Sequence, residues 1–520
     1  VRVTAATNAG GVNQLTLASP VRWGQTSSTA GAFGVGAVVR DIIPNQNIRI
    51  YGNGMLMTAT SGAAGDRFIE LGVCQSCLVQ DVRADASGGG MVDSIPFSFD
   101  NGGNDNEFRN IWIDGGGTAI AGIALEGTVN GRIVDSWVQN LGMGSSAYGL
   151  FVTDCIGCVA DAHVTHAGVG VGVVSQSSSP TNTASSVRVS GTYDFCSYGA
   201  IVDLPSTTLA NASFTRNLFG ITVNFGASAS TPTIVGAPLL LSSVKGESNS
   251  AALLTVYAGD VAANGITSHN DGVGAGLAWV ASTAMSLGSV RVNSGGVYQV
   301  VAVTGAALTD SSGGPAGTGA GIVDNNVTWN YVGPSVETSQ AIGLTSTSTL
   351  KLVNSSISLD LDVQGYGLYS NGSGPIILDD VSFSMPASPT AASGSIILQG
   401  TNVVRAARVS ISGGRYGTYA FGNGTTWWRG SGVTYSGVAV ASETVVAGSY
   451  NACTPSTLLG TSTVSVAWPA IARGNAVHCT RTTAAGGTGA MPVVTVAAGT
   501  GYTLTGSTAM DSDVYICCVQ

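Results

Sequence analysis

Apolar and polar residues alternate along this chain in short runs that stop at Gly, Ser, Asn or Asp. No long segment shows capped helical spacing at i, i+3, i+4 and i+7, so the period-2 runs predict strands. They recur at roughly 24–29 residues, a solenoid period.

Aligned coil by coil, one strand reads LVQDVRAD (Leu78–Asp85), FRNIWID (Phe108–Asp114), IVDSWVQ (Ile133–Gln139) and VADAHVT (Val159–Thr165). A second reads FSFD (Phe97–Asp100), IALE (Ile123–Glu126), LFVT (Leu150–Thr153), AIVD (Ala200–Asp203) and ITVN (Ile221–Asn224). Alternation sends Val, Ile and Leu inward and the intervening residues outward. One such coil cannot bury its inner face alone, so coils must stack. Asp81, Asn110, Asp135 and Asp161 align one per coil, at positions expected to be left-handed corners, which Asn and Asp tolerate. The pairs Cys74–Cys77 and Cys155–Cys158 fall at one repeated corner. They read better as small buried residues than as a zinc or redox pair, since zinc would need both pairs in one tetrahedral site. The expected fold is an all-β, right-handed parallel β-helix.

The coil pattern divides the chain. Residues 1–288 read as the β-helix body with its N-terminal lead-in, 289–333 as a small inserted β module, 334–444 as resumed coils and 445–520 as a separate C-terminal β module.

Composition removes several function classes. Of 520 residues only 9% are charged, against about 25% in ordinary soluble chains. No run of about 18 apolar residues predicts a membrane span. The net charge of −10, with Lys245 and Lys351 as the only lysines, gives no footprint for nucleic acid or an anionic membrane. Neutral or weakly charged molecules such as carbohydrate are the expected partners. No metal site and no cofactor are expected. GVGVG at Gly168–Gly172 is no dinucleotide loop, because no helix follows it. No basic and apolar leader pattern follows Val1, so none is expected in this chain. The nine cysteines are too few for a disulfide framework, and the state of Cys517 and Cys518 stays open: free, vicinally bonded or cross-subunit.

With the coils in view, the chain resembles bacteriophage tailspikes and tail fibres built on a pectate-lyase-like right-handed β-helix. The segment from GGVYQVVAVTG to DNNVTWNYVG resembles a short module recurrent in phage spikes, with Tyr298, Asp324, Trp329 and Tyr331 at its typical positions and Asn325 where the pattern has Gly. The ending, with Pro469, the turn at Gly487–Gly489 and GTGYTLTG at Gly499–Gly506, is similar to C-terminal modules that trimerise spikes. The resemblance implies a homotrimeric protein of the virion, acting outside the host after assembly in its cytoplasm. It implies contact with other tail or baseplate proteins, binding of host capsule or lipopolysaccharide, and often depolymerisation of it. The usual N-terminal particle-binding domain is not evident, so a trimmed chain is expected.

Stacking proposes where the chemistry lies. Arg83, Trp112, Trp137 and His163 would form one outward stripe on rungs about 4.8 Å apart, with Asp85, Asp114, Gln139 and Thr165 beside it. Exposed Trp next to carboxylates suits sugar binding, and Asp114 and Asp203 join the substrate-binding candidates. A subunit interface, where Trp and Arg are also enriched, is the alternative. On the second strand Asp100, Glu126 and, one residue past alignment, Asp154 are the candidate catalytic carboxylates. Neighbouring rungs would hold two of them about 5 Å apart, the separation of a retaining glycosidase. Crowding of like charge would raise one pKa and provide a general acid. The alternative is a carboxylate ladder without chemistry. Lyase chemistry would call on His163, His166, Arg109 or Arg132 as base. A binding-only spike and a secreted bacterial β-helix lyase or adhesin remain as rival functions.

Overall fold

The computed structural model describes most of residues 45–445, chiefly excepting 59–67, 87–96, 143–146, 175–185, 224–237, 335–338, 362–364, 387–392 and 422–426, together with strands within 3–17 and 450–519. Every regular element among the described residues is a β-strand, and no helix there is long and apolar enough to cross a membrane. The chain forms two compact units, Val1–Ala262 with Tyr331–Ser335, and Ala263–Asn330 with Val336–Gln520.

In the first unit two sheets of parallel strands face each other across the core of a right-handed parallel β-helix. One sheet, termed S1, stacks Ile69–Gln75, Phe97–Asn104, Ala121–Glu126, Tyr148–Thr153, Val169–Val174, Tyr198–Val202, Phe219–Val223 and Ala252–Val256. The other, S2, stacks Arg49–Thr58, Leu78–Asp85, the half-strands Glu107–Arg109 and Trp112–Asp114, then Arg132–Gln139, Val159–Thr165, Arg188–Asp194 and Thr208–Thr215. Like residues stack on like. The column Val79, Phe108, Ile133, Ala160, Val189, Leu209 and Leu241 runs rung to rung through the core.

S2 alternates as a half-buried sheet should, with Arg132–Gln139 exposed and buried by turns. S1 departs from the expected alternation, because its outward positions Ser98, Ala124, Ile201 and Thr222 are also buried. They are small or packed upon: Tyr148 lies across Gly172, where an added Cβ would come within 2.5 Å of the ring.

The bends are local backbone events. Asp81, Asn110 and Asp135 take φ of 57°, 50° and 51°, the left-handed region that Asn and Asp enter at least cost. Asp161 does not. It pairs directly with Ser190 in a regular strand that is one residue shorter than Arg132–Gln139, so that rung has no extra residue to place.

The two CxxC segments do occupy one corner. Cys74 aligns with Gly103 and Gly103 with Thr128, while Val129 bridges Ile156. Cys155 and Cys158 are buried thiols, as the sequence suggests, whereas Cys74 and Cys77 are buried but disulfide-bonded, which corrects the expectation for that pair. Burial raises the Cys155 thiol well above its ordinary pKa, so it stays protonated. The next corners are closed from inside by asparagines: Asn217 donates from Nδ2 to the Tyr193 carbonyl (3.0 Å) and to Asn249 Oδ1 (2.9 Å), and accepts from the Cys196 N–H (2.8 Å).

The second unit holds another parallel stack, including Thr349–Ser358, Ile376–Ser384 and Val403–Ser412 on one side and Gln340–Leu344, Tyr366–Ser370 and Gly394–Leu398 on the other. Antiparallel pairing marks the segment resembling the spike module, where Val290–Asn293 pairs with Gly296–Val303, and Ile322 to Asp324 pair with Trp329 to Val327. Asp324, 4% exposed, accepts from Trp279 Nε1 (2.9 Å), Trp329 Nε1 (3.2 Å) and the Asp310 N–H (2.9 Å). Among the described residues from Cys453 onward, the strands form two three-stranded antiparallel sheets.

Candidate functional site

On the outer face of S2, Arg83 pairs with Trp112, Trp112 with Trp137, Trp137 with His163 and His163 with Thr192. The inward neighbours Ala84, Ile113, Val138, Val164 and Tyr193 lock this register through the core. The stripe borders a groove of about 690 Å³, lined also by Asn53, Asp81, Asn110, Asp135 and Asp161. The extra left-handed residue on several rungs bends the sheet there, as bulges do beside many sites. Gly191, with φ of 108°, keeps the groove wall close: a Cβ would lie 2.0 Å from the Ala162 carbonyl oxygen.

The Trp137 indole stacks on the His163 imidazole, with centroids 3.9 Å apart and planes at 23°. Its Nε1 donates to Gln139 Oε1 (3.0 Å), and Gln139 Nε2 donates to Asp114 Oδ2 (2.7 Å). Asp114 accepts further from Asn140 Nδ2 (3.0 Å) and the Gly116 N–H (3.1 Å). It therefore buttresses the Trp137 edge and does not line the groove. Burial lowers the His163 pKa against the opposing pull of Asp194, which keeps the imidazole neutral at pH 7. Asp81 is held by Asn110 Nδ2 (2.7 Å) and Gln80 Nε2 (2.9 Å). With Asp81, Asp135 and Asp161 facing Arg83 and a neutral His163, the lining is net negative.

The candidates on S1 lie elsewhere. Glu126 pairs with Thr153, and Asp154 sits one residue on with φ of 50°. Phe99 pairs with Leu125, so Asp100 and Glu126 share a register position on adjacent rungs, and Asp100 also pairs with Gly72. The Asp100 side chain lies outside the described residues. Asp203 is half-buried near Tyr148, whose pKa is raised first by burial and then by the Asp203 charge. Glu126, Asp154 and Asp203 do not line the S2 groove.

The other basic candidates are engaged. Arg109 and Arg132 both pair with Glu107, at 2.5 and 3.6 Å. His166 stacks on Phe195, whose ring also carries the Arg216 guanidinium 4.0 Å from its centroid. Both faces of that ring are covered, so it offers no platform to a sugar.

The sequence assigns Asp81, Asn110, Asp135 and Asp161 to the corners of successive coils, and the structure puts all four on the groove wall. The available signal was the in-register polar column, three of whose members, Asp81, Asn110 and Asp135, bend their strands through a left-handed backbone.

No protein-family model matches the chain, and a search of curated proteins finds no match. Among solved structures it is similar to a tailspike protein mutant of E. coli bacteriophage HK620 in complex with pentasaccharide (9% identity, TM-score 0.41, 91% of this chain and 87% of that chain). It is similar to the HK620 tailspike protein in complex with pentasaccharide (10% identity, TM-score 0.38, 91% and 87%). It is also similar to the Pseudomonas phage phi297 tailspike (12% identity, TM-score 0.33, 86% and 66%). These solved structures are phage tailspike proteins.

Proposed function

We infer that this chain is a tailspike-type protein that binds bacterial surface polysaccharide, capsule or lipopolysaccharide, along the S2 groove. The observation carrying the reading is the in-register stripe of Trp112, Trp137 and His163 beside the carboxylates of a 690 Å³ groove. Indole faces take the apolar faces of sugar rings, while Asp135, Asp161, Asn110 and Thr192 are placed to meet hydroxyls. The net negative lining favours neutral or amino-sugar glycans over polyuronates, whose carboxylates it would repel. In the same reading the protein is a homotrimer joined through 445–520 and attached to other tail or baseplate proteins of the virion.

Hydrolysis of the bound glycan is the second reading, favoured by carboxylates on successive rungs. Asp100 with Glu126, or either with Asp154, would act as the acid/base pair at the S1 edge. Within the groove, Asp135 and Asp161 stand on neighbouring rungs and are the rival pair. Rung spacing of about 4.8 Å suits a retaining displacement, one carboxylate attacking the anomeric carbon while the other protonates the leaving oxygen.

The test is incubation of the protein with surface polysaccharides of candidate hosts, followed by binding measurement and mass spectrometry of products. Saturable binding that weakens in Trp137→Ala supports the groove. Hydrolysed oligosaccharides lost in Glu126→Gln but kept in Asp135→Asn assign chemistry to S1, and the reverse assigns it to the groove. Products bearing an unsaturated uronate would replace hydrolysis by elimination with His163 as base. Absence of binding to every polysaccharide in the panel counts against the reading.

A further inference from the structure

The C-terminal sheet Cys453–Thr457, Val514–Val519 and Val477–Thr483 carries four of the nine cysteines, and its register sorts them into pairs. The terminal strand Val514–Val519 lies in the middle, antiparallel to both neighbours. On one side Cys453 stands directly opposite Cys518, and on the other Cys479 stands directly opposite Cys517. The remaining cross-strand partners are not cysteines: Cys517 faces Thr454, and Cys518 faces His478. Consecutive strand residues belong to opposite faces of a sheet, and directly opposed residues to the same face. The sheet therefore places one cysteine pair on each face. Opposed residues of an antiparallel pair have Cα atoms about 4.5–5.5 Å apart, inside the range of about 4.4–6.8 Å that a disulfide spans.

We propose that Cys453–Cys518 and Cys479–Cys517 are disulfides that rivet the terminal strand to both its neighbours, one through each face of the sheet. This accounts for the adjacent cysteines near the chain end. A vicinal bond would join residues assigned to opposite faces of the sheet. The inference is independent of the glycan reading. Each bond forms by thiol–disulfide exchange with a small disulfide such as oxidised glutathione: two protein thiols become one S–S bond, and the reagent takes both electrons and both hydrogens to become two thiols. Such bonds persist in an oxidising environment and not in a reducing cytoplasm.

The experiment is non-reducing tryptic mapping of the full-length protein, alkylated under denaturing conditions after equilibration with oxidised glutathione. Cleavage after Arg429, Arg473 and Arg481 gives peptides 430–473, 474–481 and 482–520, which carry Cys453, Cys479 and the Cys517/Cys518 pair. The expected product is one three-peptide species four hydrogens lighter than its parts, with alkylation confined to Cys155, Cys158 and Cys196. Backbone fragmentation between Cys517 and Cys518 should leave peptide 474–481 on Cys517 and peptide 430–473 on Cys518. Cys517→Ser should release only 474–481, and Cys518→Ser only 430–473. The inverse connectivity, a vicinal loop within 482–520, chains linked to each other on a non-reducing gel, or full alkylation of all four thiols would each overturn the proposal.

Discussion

Replacing Trp137 by Ala removes the most exposed aromatic surface of the groove. The indole is 40% exposed, one face rests on His163, and its nitrogen is already committed to Gln139. What a ligand can cover is therefore the open fraction, about 100 Å² of a side chain of about 250 Å². At about 25 cal/mol per Å², complete coverage contributes about 2.5 kcal/mol, and half coverage about 1.2 kcal/mol. With tenfold in affinity per 1.4 kcal/mol, Trp137→Ala should weaken glycan binding by about eight- to sixty-fold. Isothermal titration with a defined oligosaccharide from a bound polysaccharide measures this. Unfolding midpoint and circular dichroism should stay close to wild type, because the residue lies outside the solenoid core. Two results refute the reasoning. An affinity within twofold of wild type would place the glycan elsewhere. A loss matched by collapse of the fold would mean that the stack on His163 serves stability instead.

Further outcomes follow from named contacts. Asn217→Ala strands the Cys196 N–H and the Tyr193 carbonyl in the core, which should destabilise the first unit by about 2–4 kcal/mol and speed hydrogen exchange at the Cys196 amide. Unchanged exchange there would contradict the Asn stack. Asp324→Ala leaves Trp279, Trp329 and the Asp310 N–H without their shared acceptor, at about 3–5 kcal/mol. Tryptophan fluorescence should then shift to the red well below the wild-type unfolding temperature. His163 should titrate by NMR below its ordinary value of about 6.5, since burial disfavours the imidazolium. The folded state then binds the proton less readily than the unfolded chain, so stability is unaffected by this group above about pH 6.5 and falls as pH drops from there through the lower folded-state pKa. His163→Gln should gain stability relative to wild type on acidification, and a relative loss would reverse the assignment.

Much of this molecule was legible from spacing alone. Because every coil repeats the same two alternating runs, the strands Leu78–Asp85, Arg132–Gln139 and Val159–Thr165 could be aligned by eye, and their register sets Trp112, Trp137 and His163 in one stripe. Period-2 patterning determines which residues share a face, and stacking of identical coils determines which are neighbours. Backbone dihedrals and packing outside the coil were not encoded that way. A left-handed residue at Asp135 and its absence at Asp161 depend on one residue of strand length, yet both side chains line the groove. The burial of Ser98 and Ala124 on the outer side of S1 depends on what lies over them, which no period announces. Cys74–Cys77 and Cys155–Cys158 share a spacing and a corner, yet only one pair is bonded. The repeat dictated the columns, and the local bends and coverings decided which column faces an open groove.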